Sequence, residues 1–244
     1  MASKTIHIPF EAVGFDLDGT LLDTFRDLGA AVNHALALGG FAPVPMESSQ
    51  DLIGGGAKIM LAQAVNAQGG LPGGLEGDDF RALYKAMLRY YSDNNAVYTT
   101  PYPYAREAVA GLAARGVKMI VVTNKFESFA RSILTELDFL EPFEGVIGGD
   151  TMGKGPDGKF RSKPFPDPVI EARKRCAQDP ENPGAFAFVG DSSYDVKAAR
   201  AAGVPVIAAA YGYCDAAPAN LGADAVIDSL DQLIPALETL SSSS

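Results

Sequence analysis

The chain has 244 residues, of which 47% are hydrophobic, and its formal net charge is −10 at pH 7. This length and apolar content suffice for one large core, or for a core domain with a smaller second domain. The acidic balance argues against a general nucleic-acid binder, because neutralising phosphates takes clustered Lys and Arg. The acidic balance does not argue against a small anionic substrate, since a local pocket can be positive on an acidic protein.

The cysteines and the N-terminal residues bear on the cellular compartment. Cys176 and Cys214 lack the spacing of a metal site, and MASKTIHIPF has no apolar core of signal-peptide length. No apolar run reaches the roughly 18 residues of a membrane-spanning helix. We therefore expect free thiols and a cytoplasmic protein, monomeric or homodimeric, with no membrane or nucleic-acid partner.

Short apolar runs alternate with helical patterns along most of the chain. The predicted strands are Ala12–Phe15, Val117–Val122, Gly145–Ile147, Ala185–Val189, Val204–Ala208 and Ala225–Ile227. The predicted helices between them are Ala105–Arg115, Ser128–Leu137, Pro168–Ala177, Tyr194–Ala202 and Leu230–Leu240. This alternation is typical of a Rossmann-like α/β fold, a mainly parallel sheet with helices on both faces. Such sheets place their sites at the carboxyl ends of the strands.

The segment 24–99 interrupts the alternation with helical patterns alone. These patterns cover Phe25–Leu38, Ala57–Ala67 and Asp78–Asn94. We therefore predict two domains: an α/β core formed by residues 1–23 and 100–244, and an all-helical domain inserted at 24–99.

Polar residues follow three of the predicted strands at the point where each strand ends. They are Asp16 and Asp18 after the first strand, Thr123, Asn124 and Lys125 after the second, and Asp191, Ser192 and Asp195 after the fourth, with Lys163 just before a helix. Crowded carboxylates cost free energy unless a cation or hydrogen-bond donors compensate them, and Mg²⁺ prefers oxygen ligands of this kind. A lysine and a hydroxyl can hold phosphate oxygens, while a second acid can protonate a leaving alkoxide. The pattern therefore indicates phosphoryl transfer.

Four sequence motifs carry these residues. In chain order they are FDLDGTLLD (15–23), VVTNK (121–125), KPFPDP (163–168) and VGDSSYD (189–195). With these motifs the sequence resembles the haloacid dehalogenase superfamily of phosphatases over nearly its whole length. The stretch 99–125, GGD (148–150) and YGY (211–213) further resemble the phosphoglycolate phosphatases within that superfamily.

The resemblance implies a role for each motif residue. Asp16 would be the nucleophile that forms an aspartyl-phosphate, and Asp18 the general acid and then the base. Mg²⁺ would be held by the side chains of Asp16 and Asp191 and by the backbone carbonyl of Asp18. The phosphoryl group would be bound by Thr123, Lys163 and the backbone N–H groups around Leu17 and Asn124. Ser192 and Asp195 would support these residues without binding the phosphoryl group themselves. Asp195 would orient Lys163 or metal-bound water, although direct contact with the metal stays open.

The resemblance further implies that the helical segment is a cap that selects a small phosphorylated metabolite, with 2-phosphoglycolate as the first candidate. The carboxylate of that substrate needs a cation or N–H groups, and the candidate cations are Lys125, Lys58, Arg26 and Arg89. A phosphatase of another small metabolite and a sugar-phosphate mutase of the β-phosphoglucomutase type remain open. Asp18 disfavours a dehalogenase and a phosphonoacetaldehyde hydrolase, and the complete motif set disfavours a catalytically silent binding protein.

One stretch departs from the family pattern. TMGKGPDGKFRS (151–162) is longer than expected, and its Pro156-Asp157-Gly158 turn signal predicts a protruding hairpin. Lys154 and Lys159 therefore compete with Lys163 for the phosphate-binding role. The prolines that follow Lys163 favour Lys163.

Overall fold

In the part of the chain that the structure describes, the main sheet has six parallel strands. The computed structural model of the protein describes residues 8–46 and 56–240. Its strands, in chain order, are β1 (Ala12–Phe15), β2 (Leu22–Asp23), β3 (Thr100–Pro101), β4 (Lys118–Val122), β5 (Val146–Ile147), β6 (Phe186–Gly190), β7 (Val206–Ala209) and β8 (Ala225–Ile227). The order across the main sheet is β5-β4-β1-β6-β7-β8, while β2 and β3 pair with each other. The predicted parallel α/β fold is thereby confirmed.

The described residues form eight α-helices. They are α1 (Phe25–Leu38), α2 (Ala57–Asn66), α3 (Asp78–Asp93), α4 (Ala105–Ala113), α5 (Glu127–Glu136), α6 (Asp167–Cys176), α7 (Ser193–Ala201) and α8 (Leu233–Thr239). Within the described ranges, none combines the length and the apolar character needed to cross a membrane. The last helix starts later than predicted, since Leu230–Gln232 forms a 3-10 turn. Pro235 explains this difference, because proline fits only the first turn of an α-helix.

The central strand β1 brings the motif residues to one edge of the sheet. Both neighbours of β1 are strands whose carboxyl ends carry motif residues, β4 and β6, and Phe15 lies opposite Val121 and Val189 in their registers. Apart from Lys118 at the start of β4, all three strands are apolar and buried, as expected for a parallel sheet covered on both faces. The polar residues that follow them therefore leave the sheet side by side.

The chain divides into two compact units. The first comprises Met1–Leu22 and Pro101–Ser244 and contains the main sheet, and the second is Asp23–Thr100 with helices α1, α2 and α3. The chain passes between the units within β2 and within β3. These strands were not predicted because two residues are too few to show a periodic pattern.

A buried carboxylate closes the helical unit on itself. Asp27, in the first turn of α1, is 1% exposed. It accepts hydrogen bonds from the backbone N–H groups of Tyr98 and Thr99, at 2.9–3.1 Å, and from the Thr99 hydroxyl at 2.7 Å. The end of the unit is thus fixed to the start of its first helix.

Residues 151–162 form the predicted hairpin in the first unit. Lys154 pairs with Phe160 in an antiparallel bridge, and Gly158 supplies a left-handed turn residue at φ 74°. The Lys154 ammonium lies 5.1 Å from the centroid of the Phe160 ring, and both Lys154 and Lys159 are exposed. These two lysines are therefore part of a surface hairpin.

Replacing Asp27 tests its contribution to stability. Asp27→Asn should lower the free energy of unfolding by about 1.5–3 kcal/mol, because charge-assisted hydrogen bonds are lost and the amide presents donors to donors. The measurement is denaturant unfolding followed by circular dichroism. Asp93→Asn, which makes the same change at the exposed end of α3, is the matched control. Equal unfolding of the two variants would contradict this role of Asp27.

Candidate active site

Three buried carboxylates meet at the carboxyl ends of the strands. Asp16 follows β1, Asp191 follows β6, and Asp195 lies in the first turn of α7. One carboxylate oxygen from each residue lies within 4.8 Å of the other two. The residues are 8%, 2% and 0% exposed, respectively. The topology thus brings together the acids that the sequence placed after separate strands.

Lys163 lies among these carboxylates. Its Nζ is 2.7 Å from Asp16 Oδ1 and 2.6 Å from Asp195 Oδ1, and the residue is 3% exposed. Three carboxylates facing one ammonium leave an excess of two negative charges. Such an excess is costly in a buried site, and a divalent cation would offset it. The donor set, made of carboxylate oxygens, fits Mg²⁺.

The pKa values reflect this shortage of positive charge. Burial raises the pKa of Asp16 to about 7, Lys163 opposes the shift and Asp195 adds to it. Burial, followed by the charges of Asp195 and Asp16, raises the pKa of Asp191 well above its ordinary value. Burial alone would lower the pKa of Lys163, but Asp16 and Asp195 outweigh it and the pKa is raised. Lys163 is therefore charged, but its single positive charge is too little to neutralise the buried carboxylates.

Asp195 contacts Lys163 with one oxygen and the start of α7 with the other. Its Oδ2 accepts hydrogen bonds from the Ser192 backbone N–H at 3.0 Å and from the Ser192 hydroxyl at 2.6 Å, within a capping box. Its Oδ1 accepts a hydrogen bond from Lys163. This arrangement favours an orienting role for Asp195, with the lysine fixed relative to the helix.

Asp18 forms a second ion pair in the same unit. Its Oδ1 is 3.1 Å from the Nζ of Lys125, whose side chain is 5% exposed. The backbone N–H of Lys125 also donates to the Thr123 hydroxyl oxygen at 3.1 Å. The sequence predicted Lys125 as one possible partner for a substrate carboxylate, whereas in the structure its ammonium contacts the carboxylate of Asp18.

The loop after β4 is linked to the Lys163 segment. Thr123 is buried, and its backbone N–H donates to the Ile147 carbonyl at 2.9 Å. The Asn124 side-chain amide donates to the carbonyl of Lys163 at 3.0 Å. The second and third sequence motifs, 38 residues apart in the chain, therefore form one connected part of the site.

Asp191 accepts hydrogen bonds from two residues for which the sequence suggested no role. The Thr20 hydroxyl donates to its Oδ1 at 3.2 Å, and the Tyr213 backbone N–H donates to its Oδ2 at 2.7 Å. Thr20 belongs to the first motif and Tyr213 to the YGY stretch, so their positions in the motifs were the available signal. A backbone donor such as that of Tyr213 leaves no trace in residue type.

The other candidate cations belong to the helical unit. Lys58 pairs with Glu76 at 3.1 Å, and the Arg26 guanidinium lies 5.6 Å from the centroid of the Phe25 ring. Arg89 is exposed on α3. These contacts lie within Asp23–Thr100.

Known hydrolases are similar to this chain over most of its length. The family model of the haloacid dehalogenase-like hydrolases matches residues 13–209. A phosphoglycolate phosphatase of Nitrosospira multiformis is 36% identical over 230 residues, which cover 94% of this chain and 93% of that protein. An N-acetylmuramic acid 6-phosphate phosphatase of Pseudomonas aeruginosa is 34% identical over 230 residues, 93% of this chain and 95% of that protein.

A solved structure shows the same fold. The crystal structure described as a predicted phosphoglycolate phosphatase from Haemophilus somnus has a TM-score of 0.78 and 28% identity, and the match covers 96% of this chain and 99% of that one. The chain therefore belongs to the haloacid dehalogenase-like hydrolases. It is an enzyme whose named relatives are phosphatases, which confirms the resemblance that the four motifs carried.

Removing the ammonium of Lys163 tests the charge balance of the site. In EDTA, Lys163→Met should lower the free energy of unfolding by about 3–5 kcal/mol, because it leaves buried carboxylates without their partner. Lys174→Met, at an exposed position of α6, should stay within about 0.5 kcal/mol of the wild type. The measurement is denaturant unfolding of both variants. Similar small losses in the two would show that Lys163 does not compensate this cluster.

Proposed function

We propose that the protein is a Mg²⁺-dependent phosphomonoester hydrolase that works through an aspartyl-phosphate and hydrolyses 2-phosphoglycolate to glycolate and phosphate. The observation that carries the proposal is the buried cluster of Asp16, Asp191 and Asp195 around Lys163. An ester phosphate is itself an anion. A site for it therefore needs positive charge beside the attacking carboxylate. A divalent cation would supply this charge and neutralise the carboxylates that Lys163 leaves uncompensated.

Asp16 and Asp18 would carry out the chemistry. A carboxylate oxygen of Asp16 attacks phosphorus as the bond between phosphorus and the ester oxygen breaks, and Asp18 gives its proton to the leaving alkoxide. Water then attacks the phosphorus of the aspartyl-phosphate. Asp18 takes a proton from this water, the bond between Asp16 and phosphorus breaks, and phosphate is released.

Lys125 would orient Asp18. Its ammonium, 3.1 Å from Asp18 Oδ1, would hold this carboxyl group in place during both proton transfers. A proton donor must lie within hydrogen-bond reach of the leaving oxygen, so its orientation matters as much as its acidity.

The remaining site residues would hold the metal and the phosphoryl group. Asp16, Asp191 and the backbone carbonyl of Asp18 would bind Mg²⁺, which supplies charge neutralisation between carboxylates and phosphate. Lys163 and Thr123, with backbone N–H groups around Asn124, would bind phosphoryl oxygens and stabilise the charge of the transition state. The side chains of Lys163 and Thr123 are buried, so water screens their interactions with a phosphoryl group little.

The substrate is the finer part of the proposal. Phosphoglycolate phosphatases and an N-acetylmuramic acid 6-phosphate phosphatase are similar to this chain at 36% and 34% identity, so identity hardly separates the two activities. The similarity to several phosphoglycolate phosphatases favours 2-phosphoglycolate. N-acetylmuramic acid 6-phosphate is the second candidate. Both substrates carry a carboxylate, which a cationic side chain such as those of the candidate residues would bind.

We assign the helical unit Asp23–Thr100 the role of a cap that selects the substrate. It is a compact unit inserted between two short paired strands, so it can vary without altering the sheet that carries the site. The assignment rests on this organisation and on the family resemblance. Lys58, Arg26 and Arg89 are its candidate contacts to a substrate carboxylate.

Phosphate release from a panel of phosphomonoesters tests the proposed function. With Mg²⁺, the wild type should hydrolyse 2-phosphoglycolate with a higher kcat/KM than N-acetylmuramic acid 6-phosphate or p-nitrophenyl phosphate, and EDTA should abolish turnover. Asp16→Asn should be inactive on all three, because an amide does not attack phosphorus. Full activity in EDTA would refute the metal role, and turnover by Asp16→Asn, with deamidation excluded, would refute the nucleophile.

Alanine substitutions in the helical unit test its role in substrate choice. Lys58→Ala, Arg26→Ala or Arg89→Ala should reduce kcat/KM for 2-phosphoglycolate roughly ten- to a hundredfold relative to p-nitrophenyl phosphate, because a charge-assisted hydrogen bond is worth about 1.5–3 kcal/mol. Lys85→Ala removes an exposed cation of α3 that is not a candidate and serves as the control. If no candidate changes the ratio of the two substrates, recognition of the carboxylate does not reside in these residues.

A further inference from the structure

The segment Tyr211–Asp215, which we call the strap, follows β7 and contacts Asp191. The strap begins two residues after the end of β7, and the Gly212 backbone N–H turns back to the Ala209 carbonyl at 3.2 Å. The next residue, Tyr213, donates its backbone N–H to Asp191 Oδ2 at 2.7 Å. The strap thus supplies one of the hydrogen bonds that orient this carboxylate.

Tyr211 fixes the first end of the strap to the loop after β1. Its hydroxyl donates to the Thr20 carbonyl at 2.9 Å, and its ring packs edge-on against Tyr102 at 4.9 Å between centroids. Burial raises the pKa of Tyr211, so the hydroxyl remains a donor. Thr20 in turn donates its own hydroxyl to Asp191 Oδ1 at 3.2 Å. Tyr211 and Asp191 therefore contact the same residue.

Gly212 lies against the loop after β1 and against Asp191. A Cβ atom at this position would be 2.3 Å from the Gly19 carbonyl oxygen and 2.4 Å from Asp191 Cβ. Its φ is not in the left-handed region, so space alone requires glycine here. Even one methyl group would have to push the strap, the loop after β1 or Asp191 out of place.

Asp215 fixes the other end of the strap to α7. Its two oxygens accept hydrogen bonds from the Ser193 backbone N–H at 2.7 Å and from the Ser193 hydroxyl at 2.6 Å. Ser193 is the first residue of α7 and lies two positions after Asp191. The strap is therefore fixed at both of its ends, by Tyr211 and by Asp215.

We propose that the strap positions Asp191 for metal binding, with Tyr211, Gly212 and Asp215 as positioning residues that do not touch the ion. A carboxylate oxygen has two acceptor sites, and Thr20 and Tyr213 use one on each oxygen of Asp191. A further acceptor site on each oxygen can then face a cation. Hydrogen bonds to a ligating carboxylate fix its direction, and losing such support weakens metal binding roughly ten- to a hundredfold. The inference rests on the Mg²⁺ site of the proposed function.

The direct test is the Mg²⁺ dissociation constant of the full chain, measured by isothermal titration calorimetry. Gly212→Ala should raise it roughly tenfold or more, and Tyr211→Phe should raise it several-fold while keeping the ring contact. Gly145→Ala is the matched control, since its added Cβ would meet only an Arg131 side-chain nitrogen at 4.0 Å. This control should bind Mg²⁺ within twofold of the wild type.

Asp215 provides a test by rescue. Asp215→Ala should weaken Mg²⁺ binding, whereas Asp215→Asn should restore it, because an amide can accept from the Ser193 N–H and donate to its hydroxyl. At saturating Mg²⁺, the KM for 2-phosphoglycolate should be unchanged in both variants. A merely structural role of Asp215 would not produce this selective loss of metal affinity.

The outcomes separate the strap from the proposed function. If the wild type binds Mg²⁺ and the folded Gly212→Ala and Tyr211→Phe variants bind it within twofold as well, the strap proposal is overturned and the metal site stands. If Gly212→Ala does not fold, Tyr211→Phe and the Asp215 pair decide. If the wild type itself binds no Mg²⁺, both proposals fail.

Discussion

The excess of negative charge around Lys163 is the constraint on which the rest of the site depends. Asp16, Asp191 and Asp195 lie close together in a buried position, and one ammonium offsets only part of their charge. An isolated cluster of this kind would be costly, and its members respond with raised pKa values for Asp16 and Asp191. A divalent cation would remove much of this cost, because it would neutralise the carboxylates and at the same time attract a phosphate to the site.

The sheet creates this charge density by topology. Its central strand β1 lies between β4 and β6, so loops from distant parts of the sequence converge on Asp16. The surrounding hydrogen bonds then fix the direction of each polar group: Asp195 holds Lys163, Lys125 contacts Asp18, and the strap contacts Asp191. A divalent cation at this cluster would let a protein with a formal net charge of −10 bind a phosphate, because positive charge would then lie beside the carboxylates.

The strands were predictable because continuous apolar runs, such as β4 and β6, can only be buried on both faces. The motif acids were predictable because their position after strands places them at one edge. The ion pair of Lys125 with Asp18 was not, since a lysine in a loop can point in several directions and the sequence does not record which. The same holds for Tyr213, which acts through its backbone N–H, and for β2 and β3, two-residue strands that pair with each other across a long stretch of sequence.

The pairing of β2 with β3 also bears on how the sheet assembles. About 100 residues separate β1 from β4, and about 25 of them remain when Asp23–Thr100 is left out. If the helical unit folds first and its two ends are joined by this pairing, the chain that must close to bring β1 onto β4 is about fourfold shorter. Loop-closure entropy then favours the sheet by about 1.2 kcal/mol. The large insertion after the first motif therefore need not lengthen the loop that closes the sheet.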